Sequence, residues 1–341
     1  MSLQLLDWAD PQWDRVISRL PHDTYHTAGY CAACASSESG EIRLAVIDDG
    51  ELLVAPLVVR PISSDAEPHK GLVDYSSPYG YPTPLCSSSD PDTQRALLSE
   101  LLSGLGSLGG VSAFFRSHPF LGLSRGVWEA AGDVVFHGQT VYLDVPAIAS
   151  DPIRSFRVDH RRQIRILNDL GYVAQSGAWD TFDQFPDLYR KNMRRLGASP
   201  YLYFPDDYFT ALRSNLGDGL RYITVTAPSG RMAAATLLLI CDGIAQYHLS
   251  STAEEYWSDA PSKALFPVMV AESDRAGATR LHLGGGVGAR ADSLFEFKRG
   301  FSKLFADYFS YRVVLNEGVY RALSKSLAPD GFFPAYRYES P

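Results

Sequence analysis

The chain has 341 residues, of which 45% are hydrophobic and 21% are charged, and its formal net charge is −8. This composition is typical of a globular protein, and the length predicts two domains rather than one. The negative charge argues against a general nucleic-acid binder, and no apolar run approaches the roughly 18 residues of a membrane span. The acidic N-terminus lacks the pattern of a signal peptide, so we expect a cytoplasmic protein. We also expect a monomer.

The charge is unevenly divided along the chain. Residues 1–150 contain 8 Lys and Arg against 18 Asp and Glu, whereas residues 151–341 contain 23 against 21. Because clustered Lys and Arg attract polyanions, any polyanion site is expected in the second half. Cys31 and Cys34 have the spacing of metal ligands, but no second pair completes a zinc site. We therefore interpret them as two small buried residues and predict no metal.

The first half predicts a mixed α/β domain. The segment Asp48-Asp49-Gly50 between two apolar runs is a strong hairpin signal. The aromatic, turn-rich segment 74–82, which includes Tyr79, either lines a cleft or covers the edge of the core. The order of elements resembles the acetyltransferase-type fold called GNAT. The predicted elements are helices 8–20 and 25–34, strands 42–47 and 52–59, helix 96–108, and strands 111–116 and 134–143.

A basic segment opens the second half. Residues three and four apart share one helical face, so the spacing predicts a continuous positive stripe; a solvated helix face explains the same pattern. The basic residues are Arg154, Arg157, His160, Arg161, Arg162 and Arg165.

The rest of the second half repeats the plan of the first. Repetition of one element order suggests a tandem duplication, and we predict an α/β (α+β) protein of two GNAT-like units, each a mixed central sheet flanked by helices. The expected units are 1–146 with the tail 316–341 packed on it, and 147–315. The predicted elements are strand 172–175, helices 182–195 and 205–216, strands 220–226, 231–240 and 244–251, helix 261–275, strands 278–283 and 307–315, and helix 318–326.

The segment Leu281–Ser302 organises this second unit. A strand signal breaks at three glycines, Gly284 to Gly286, and Asp292 then provides a helix N-cap before phenylalanines at helical spacing. Such a strand, turn and helix bring backbone N–H groups and one side chain to the end of a sheet. Lys298 follows Phe297 on this helix, where a solvated charge is the ordinary interpretation.

Three motifs follow one another along the chain. They are Tyr25-His26-Thr27 with Tyr30, Leu188-Tyr189 with Arg194 and Tyr208-Phe209, and Gly284-Gly285-Gly286 with Phe297-Lys298 and Phe301. Together they resemble the Fem peptidyltransferases, which transfer an amino acid from aminoacyl-tRNA to a peptide amine. The resemblance covers nearly the whole chain, and it rests on the order and spacing of the motifs rather than on any one of them.

The resemblance implies an aminoacyltransferase with aminoacyl-tRNA as co-substrate, a peptide acceptor and no cofactor. Lys298 and Phe297 take the catalytic positions, and Lys298 would stabilise the oxyanion of the tetrahedral state. Arg194 would bind a substrate phosphate or carboxylate, or else form an ion pair with Asp187 or another helix carboxylate. The remaining substrate-binding candidates are Tyr79, His118, Tyr247 and His248, with a core histidine as the alternative for His248. The tRNA-binding candidates are Arg154, Arg157, Arg161, Arg162, Arg165, Arg190, Lys191 and Arg195.

Two positions depart from the family pattern. Cys34 stands where members acting on nucleotide-linked muropeptides carry a Lys, and His118 stands where they carry an Asp. The acceptor is therefore expected to be either a cell-wall precursor or a peptide intermediate of a natural-product pathway.

Two other functions compete with this interpretation. An acyl-CoA-dependent N-acyltransferase usually has an Arg/Gln-x-x-Gly-x-Gly/Ala loop for the pyrophosphate, and neither 251–264 nor 82–94 contains one. A non-catalytic module of two degenerate acyltransferase folds is the third possibility, and the ordered segment around Lys298 argues against it.

Overall fold

The computed structural model describes residues 3–62, 70–324 and 331–338. The contacts divide the chain into two compact units. Unit 1 contains the residues up to His137 together with those from Tyr308 onward, and unit 2 is Gly138–Asp307. The expected boundaries lie nearby, at 146/147 and 315/316. Part of the expected tail, 325–330 and 339–341, lies outside the described residues.

Thirteen strands are formed by the described residues, and most coincide with the apolar runs of the sequence. They are β1 Gln4–Asp7, β2 Glu41–Asp49, β3 Glu51–Pro61, β4 Val73–Ser76, β5 Leu85–Cys86, β6 Gly110–Arg116, β7 Asp133–Asp144, β8 Val173–Ser176, β9 Leu220–Thr226, β10 Met232–Cys241, β11 Ile244–Thr252, β12 Arg280–Gly284 and β13 Leu304–Val314.

Twelve α-helices accompany these strands in the described part of the chain. They are α1 Gln12–Ile17, α2 Ala28–Cys34, α3 Pro91–Ser107, α4 Arg125–Glu129, α5 Val145–Ile148, α6 Pro152–Ser155, α7 Val158–Asp169, α8 Phe185–Arg195, α9 Asp206–Asn215, α10 Leu265–Arg275, α11 Ser293–Lys298 and α12 Glu317–Leu323.

Unit 1 is built on a sheet whose strand order is β1-β2-β3-β4-β6, followed by the unit 1 part of β13. The predicted hairpin is confirmed: β2 and β3 pair up to Asp49 and Glu51, and Gly50 takes the left-handed conformation (φ +82°) that the turn requires. The predicted helix 8–20 is confirmed only as α1, because residues 8–11 form a turn after the edge strand β1 and residues 18–20 form a turn after the helix.

The core of unit 1 lies between this sheet and α3. The helix buries leucines at helical spacing, Leu97, Leu98, Leu101 and Leu105, against the sheet. Trp128 of α4 stacks on Tyr311 of β13 with 4.3 Å between ring centroids. The C-terminal residues also lie on this unit, because Tyr336 and Arg337 bond to the buried carboxylate of Asp74.

Unit 2 has the sheet order β12-β11-β10-β9-β8, preceded by the unit 2 part of β7. Successive side chains of β9 point to opposite faces of the sheet. Ile223 belongs to the core formed with α7 and α10, while the neighbouring Tyr222 packs against Phe185 of α8. Helices therefore cover both faces of the sheet.

The two sheets share one plan. Each has antiparallel strands, then one parallel pair (β4 with β6, β11 with β12), and a final antiparallel strand. The final strand is β13 in unit 1 and β7 in unit 2, so each closing strand comes from a distant part of the chain. The sequence assigns 134–143 to close the first unit and 307–315 to end the second. That pairing is wrong, because alternation of side chains indicates a strand but not its partner.

Candidate functional site

The turn that follows β12 is shaped by glycine and aspartate. Gly284 has a positive φ (+77°), and a Cβ on Gly286 would lie 2.1 Å from the carbonyl oxygen of Arg290. Asp292 accepts hydrogen bonds from the backbone N–H of Val287 (2.8 Å) and of Phe295 (2.9 Å). The predicted N-cap is confirmed, and one carboxylate fixes both the turn and the start of α11.

Lys298 ends α11 and is buried, with 8% of its surface exposed. Its Nζ donates a hydrogen bond to the carbonyl oxygen of Gly285 (2.7 Å) and lies 5.8 Å from the ring centroid of Tyr247. Burial lowers the pKa of the Lys298 ammonium to about 8, and Asp292 partly offsets this shift. The alternative of a solvated helix charge is therefore wrong for this lysine.

An aromatic cluster supports Lys298 from the side of α10. Phe297 lies 5.6 Å from Phe266 and 5.2 Å from Phe301 between ring centroids, and Phe301 also stacks on Phe266. Phe297 is half-buried and its side chain belongs to the core of unit 2. This packing holds the lysine backbone in place.

His160 belongs to this cluster and not to the exposed basic stripe. Its ring lies 4.4 Å from the Phe301 ring, and a Cβ on Gly300 would lie 2.1 Å from its Cε1 atom. Its Nδ1 is buried without a hydrogen-bond partner among the described residues. Burial lowers the pKa of His160 to about 4, so the ring is neutral at pH 7. The sequence groups it with the arginines because spacing does not show which face of α7 is covered.

The parallel pairing of β11 and β12 ends at Gln246 and His282, whose side chains are hydrogen bonded (2.8 Å). On β11, Tyr247 packs on Phe266 (5.4 Å between centroids), and burial raises the pKa of its hydroxyl to about 12. The register to β10 skips His248, which is a β-bulge residue. The bulge explains why Tyr247 and His248 do not follow the strand alternation.

His248 is hydrogen bonded through Nε2 to the hydroxyl of Tyr208 on α9 (2.7 Å). Tyr208 is one of the motif residues quoted above, and it is fully buried. The structure thus brings Tyr247 close to Lys298, whereas the described partner of His248 belongs to α9. Roles for either residue in binding substrate stay predictions.

On α8 the expected ion pair forms with a different arginine. Asp187 accepts from Arg190 (2.8 Å), which also bonds to Asp206 (2.6 Å). Arg194 is exposed, and its Nε donates to the carbonyl oxygen of Arg190 (3.4 Å). Arg195 donates to Asn192 (2.8 Å) and its guanidinium lies over the Trp257 ring. The ion-pair alternative for Arg194 is therefore wrong.

The basic segment is not one continuous helical stripe. Phe156 and Arg157 have extended backbone conformations between α6 and α7, so Arg154 lies on a separate short helix. Arg157 is paired with Asp159 (2.6 Å). The prediction of one helical face is wrong, because it did not include this break. The exposed or half-exposed basic residues of α7 are Arg161, Arg162 and Arg165.

His118 and Tyr79, the two substrate-binding candidates in unit 1, are enclosed by other residues of that unit. His118 accepts from the Phe120 backbone N–H at Nδ1 (3.1 Å), so its Nε2 carries the proton and donates to Asp23 (2.9 Å). Its side chain has no exposed surface. The Tyr79 backbone N–H donates to Glu38 (3.1 Å), and burial raises the pKa of the Tyr79 hydroxyl to about 12. Both nitrogens of His118 are thus occupied, which leaves no ring donor or acceptor for a ligand.

Among the described residues, no three His, Cys, Asp or Glu side chains are grouped so as to hold a metal ion. The described helices also include none that is long and apolar enough to cross a membrane. Cys31 and Cys34 are both buried and free.

The chain resembles known proteins in its fold and, over part of its length, in its sequence. Residues 154–299 match the family Acetyltransf_6, described as an acetyltransferase (GNAT) domain. No curated protein matches the sequence. Three of the solved structures that match are described next. Their sequence identities to this chain are low, so each match supports the fold alone.

The structure of FemX superposes with a TM-score of 0.69 at 14% identity, covering 94% of this chain and 99% of that one. The structure of L-PGS from Bacillus licheniformis superposes with a TM-score of 0.59 at 12% identity, covering 89% of this chain and 92% of that one. A tandem GNAT protein from the clavulanic acid biosynthesis pathway superposes with a TM-score of 0.50 at 11% identity, covering 92% of this chain and 98% of that one. The chain is thus an α/β protein with the fold of FemX whose residues 154–299 match the GNAT domain family, and the resemblance to the Fem family predicted from the sequence is confirmed at the level of the fold.

Proposed function

We propose that this protein is an aminoacyltransferase that moves an amino acid from aminoacyl-tRNA to the free amine of a peptide. The observation that carries the proposal is the buried ammonium of Lys298, held by the Gly285 carbonyl oxygen in a unit with an acyltransferase fold. A cell-wall precursor and a peptide intermediate of a natural-product pathway both satisfy the chemistry of the acceptor.

The reaction needs little from the protein beyond position and charge. The ester of an aminoacyl-tRNA is already activated, so the neutral amine of the acceptor attacks its carbonyl carbon without ATP, metal or enzyme nucleophile. The amine N–C bond forms, the ester C–O bond breaks, and the proton of the amine leaves with the tRNA hydroxyl. Positioning the two substrates supplies part of the rate.

Lys298 is suited to stabilise the oxyanion that forms on the carbonyl oxygen. An ammonium has three N–H donors, and one of them bonds to Gly285 in the described part of the chain. The aromatic cluster around Phe297 fixes the helix that carries it. With its pKa near 8, Lys298 is mostly charged at pH 7.

A second function, acyl-CoA-dependent N-acyl transfer, is favoured by the match of residues 154–299 to an acetyltransferase family. The segment after β11 argues against it. Residues 253–264 contain no glycine and include Glu254, Glu255 and Asp259, where a pyrophosphate would need backbone N–H donors and no negative charge.

The deciding experiment incubates the protein with a pool of charged tRNAs and a set of peptides with free amines. We expect mass increases on a peptide equal to one amino-acid residue, abolished by ribonuclease treatment of the donor pool. Parallel reactions with acetyl-CoA and the same peptides test the second function by release of free thiol. Acetylated peptides with thiol release, and no ribonuclease-sensitive product, would reject tRNA-dependent transfer.

A further inference from the structure

A large groove in unit 2 has no place in the reaction described above. It has a volume of about 1040 Å³ and lies between α8, the turn Trp179–Gln184 and the ends of β8 to β11. Neither Lys298 nor Phe297 lines it. Its volume is at the upper limit of the roughly 300–1,000 Å³ typical of small-ligand sites, so it has room for more than a single amino acid.

The floor of the groove contains a buried hydroxyl that no described residue bonds. Thr224 of β9 lines the groove and is 2% exposed, and its Oγ1 has no hydrogen-bond partner among the described residues. Buried hydroxyl groups are nearly always hydrogen bonded in native proteins. This atom is therefore available to bond a polar group of a ligand at the floor of the groove.

The walls of the groove carry both signs of charge. Five carboxylates and four cations line it, which is a small negative excess. Some of these charges already neutralise each other, as Arg231 does with Glu255 (3.0 Å). In the described part of the chain, Lys191, Asp180 and Glu254 have no ion pair within 4 Å, and the described bond of Arg194 is to a backbone carbonyl.

This arrangement disfavours RNA as the occupant. Nucleic-acid binding depends on an excess of Lys and Arg that pairs with the phosphates. The groove has no such excess, because its carboxylates outnumber its cations. Lys191 and Arg195 line this groove, so their predicted role in binding tRNA does not fit their surroundings. A ligand with one negative and one positive end fits the two kinds of unpaired charge.

We propose that the groove binds a short zwitterionic peptide. The peptide carboxylate would pair with Lys191 and Arg194 on α8, its ammonium with Asp180 or Glu254, and one of its amide groups with Thr224 Oγ1. The inference goes beyond the proposed function: an ammonium paired with Asp180 or Glu254 is protonated and does not attack an ester, so the groove is a peptide-binding site separate from the reacting amine.

The binding test uses no donor and no transfer. Mixtures of tri- to pentapeptides with free termini, and the same mixtures acetylated and amidated, are retained by ultrafiltration with the full chain and identified by mass. We expect at least tenfold greater retention of free peptides than of blocked ones. Equal retention, no retention, or displacement of the free peptides by a short single-stranded RNA would overturn the proposal.

Variants assign the two ends of the peptide. Lys191→Gln with Arg194→Gln should weaken free peptides about tenfold or more and leave amidated peptides unaffected. Asp180→Asn with Glu254→Gln should weaken the binding of peptides with a free amine about tenfold or more and leave acetylated peptides unaffected. Thr224→Val, which keeps the shape, should weaken every peptide about three- to tenfold. The control Arg95→Gln lies on α3 in unit 1, outside the groove, and should leave the retention of every peptide unchanged.

The outcomes separate this inference from the proposed function. Peptides that bind with the expected variant effects but are never aminoacylated would reject the transfer and leave the groove assignment standing. Retention of free peptides that the Lys191 and Arg194 double variant does not change would reject the groove and leave the transfer standing.

Discussion

The two units place one cation each beyond a parallel strand pair, and they use it differently. In unit 1 the pair β4 and β6 ends at Ser76 and Phe114, and Arg116 then donates to the carbonyl oxygens of Ser77 (2.5 Å) and Pro78 (3.1 Å). In unit 2 the pair β11 and β12 is followed by Lys298, which bonds to the single carbonyl oxygen of Gly285. Each unit thus has a cation that bonds to backbone carbonyl groups beyond its parallel pair, Arg116 at the end of β6 and Lys298 at the end of α11.

The difference lies in charge and in unused donors. A guanidinium remains protonated at any accessible pH, and Arg116 spans two carbonyl groups of the loop that follows β4. Burial lowers the pKa of Lys298 to about 8, and the described contacts engage one of its three N–H donors. We infer that the Arg116 position holds a loop, whereas the Lys298 position is available to a reacting carbonyl.

The largest expected effect is the loss of transfer on removing the charge of Lys298, which removal of the Arg116 charge should not cause. Lys298→Met keeps the apolar stem and removes the charge, so transfer from aminoacyl-tRNA should fall by about two orders of magnitude or more, near 3 kcal/mol of transition-state stabilisation. The affinities for donor and acceptor should change much less, since neither carries the developing charge before reaction. Single-turnover rates with charged tRNA measure the loss.

The matched control is Arg116→Met in unit 1. It should lower the free energy of unfolding by about 1–3 kcal/mol, because two buried carbonyl groups lose a charged donor, and leave the single-turnover rate of the folded protein near that of the parent. A folded Lys298→Met protein that transfers at the parental rate would remove Lys298 from the mechanism.

A second prediction uses the lowered pKa of Lys298. The unfolded lysine titrates near 10.5 and the folded one near 8, so between these pH values the unfolded state binds more protons and stability rises with pH. Below pH 8 both states are protonated and the folded state carries the full cost of the buried charge. The stability of the parent relative to Lys298→Met should therefore rise by up to about 3 kcal/mol between pH 8 and pH 10.5.

Urea unfolding of both proteins at pH 7, 9 and 10 measures this difference. Transfer should show the opposite trend, falling as pH rises through about 8 and the ammonium is lost. A stability difference that stays constant across this range would show that Lys298 titrates as an exposed lysine does.

The cost of enclosing the Lys298 helix can be tested at Gly300. A Cβ there would lie 2.1 Å from the His160 ring, which packs against the rings of Phe297 and Phe301. Gly300→Ala should lower the free energy of unfolding by about 1–3 kcal/mol, as expected for overpacking. The control Gly126→Ala, on α4 with no atom within 4 Å of the new methyl group, should raise it by about 0.4–1 kcal/mol. Equal effects of the two alanines in chemical denaturation would contradict this packing.

Local signals in the sequence predicted much of this structure. The hairpin at Gly50 and the N-cap at Asp292 depend on residues within a few positions of each other, and both are confirmed. The partners of β7 and β13 were not predictable, because strand pairing across more than a hundred residues leaves no local pattern. Burial had the same limit. His160 and Lys298 look like surface charges in the sequence, and only the tertiary packing encloses them.

The smallest expected effect tests whether polyanions prefer unit 2. Arg162 is exposed on α7 and belongs to the predicted tRNA-binding set. If it contacts one phosphate, Arg162→Gln should lower the slope of log affinity against log salt by about one unit. The matched control is Arg95→Gln in unit 1, an exposed arginine of the acidic half, which should leave the slope unchanged. Filter binding of charged tRNA at several salt concentrations measures both slopes. An unchanged slope for Arg162→Gln would remove this residue from the interface. Equal losses for the two variants would mean that the affinity follows total charge rather than a site on α7, because a localised contact changes the number of released counterions only where the phosphate lies.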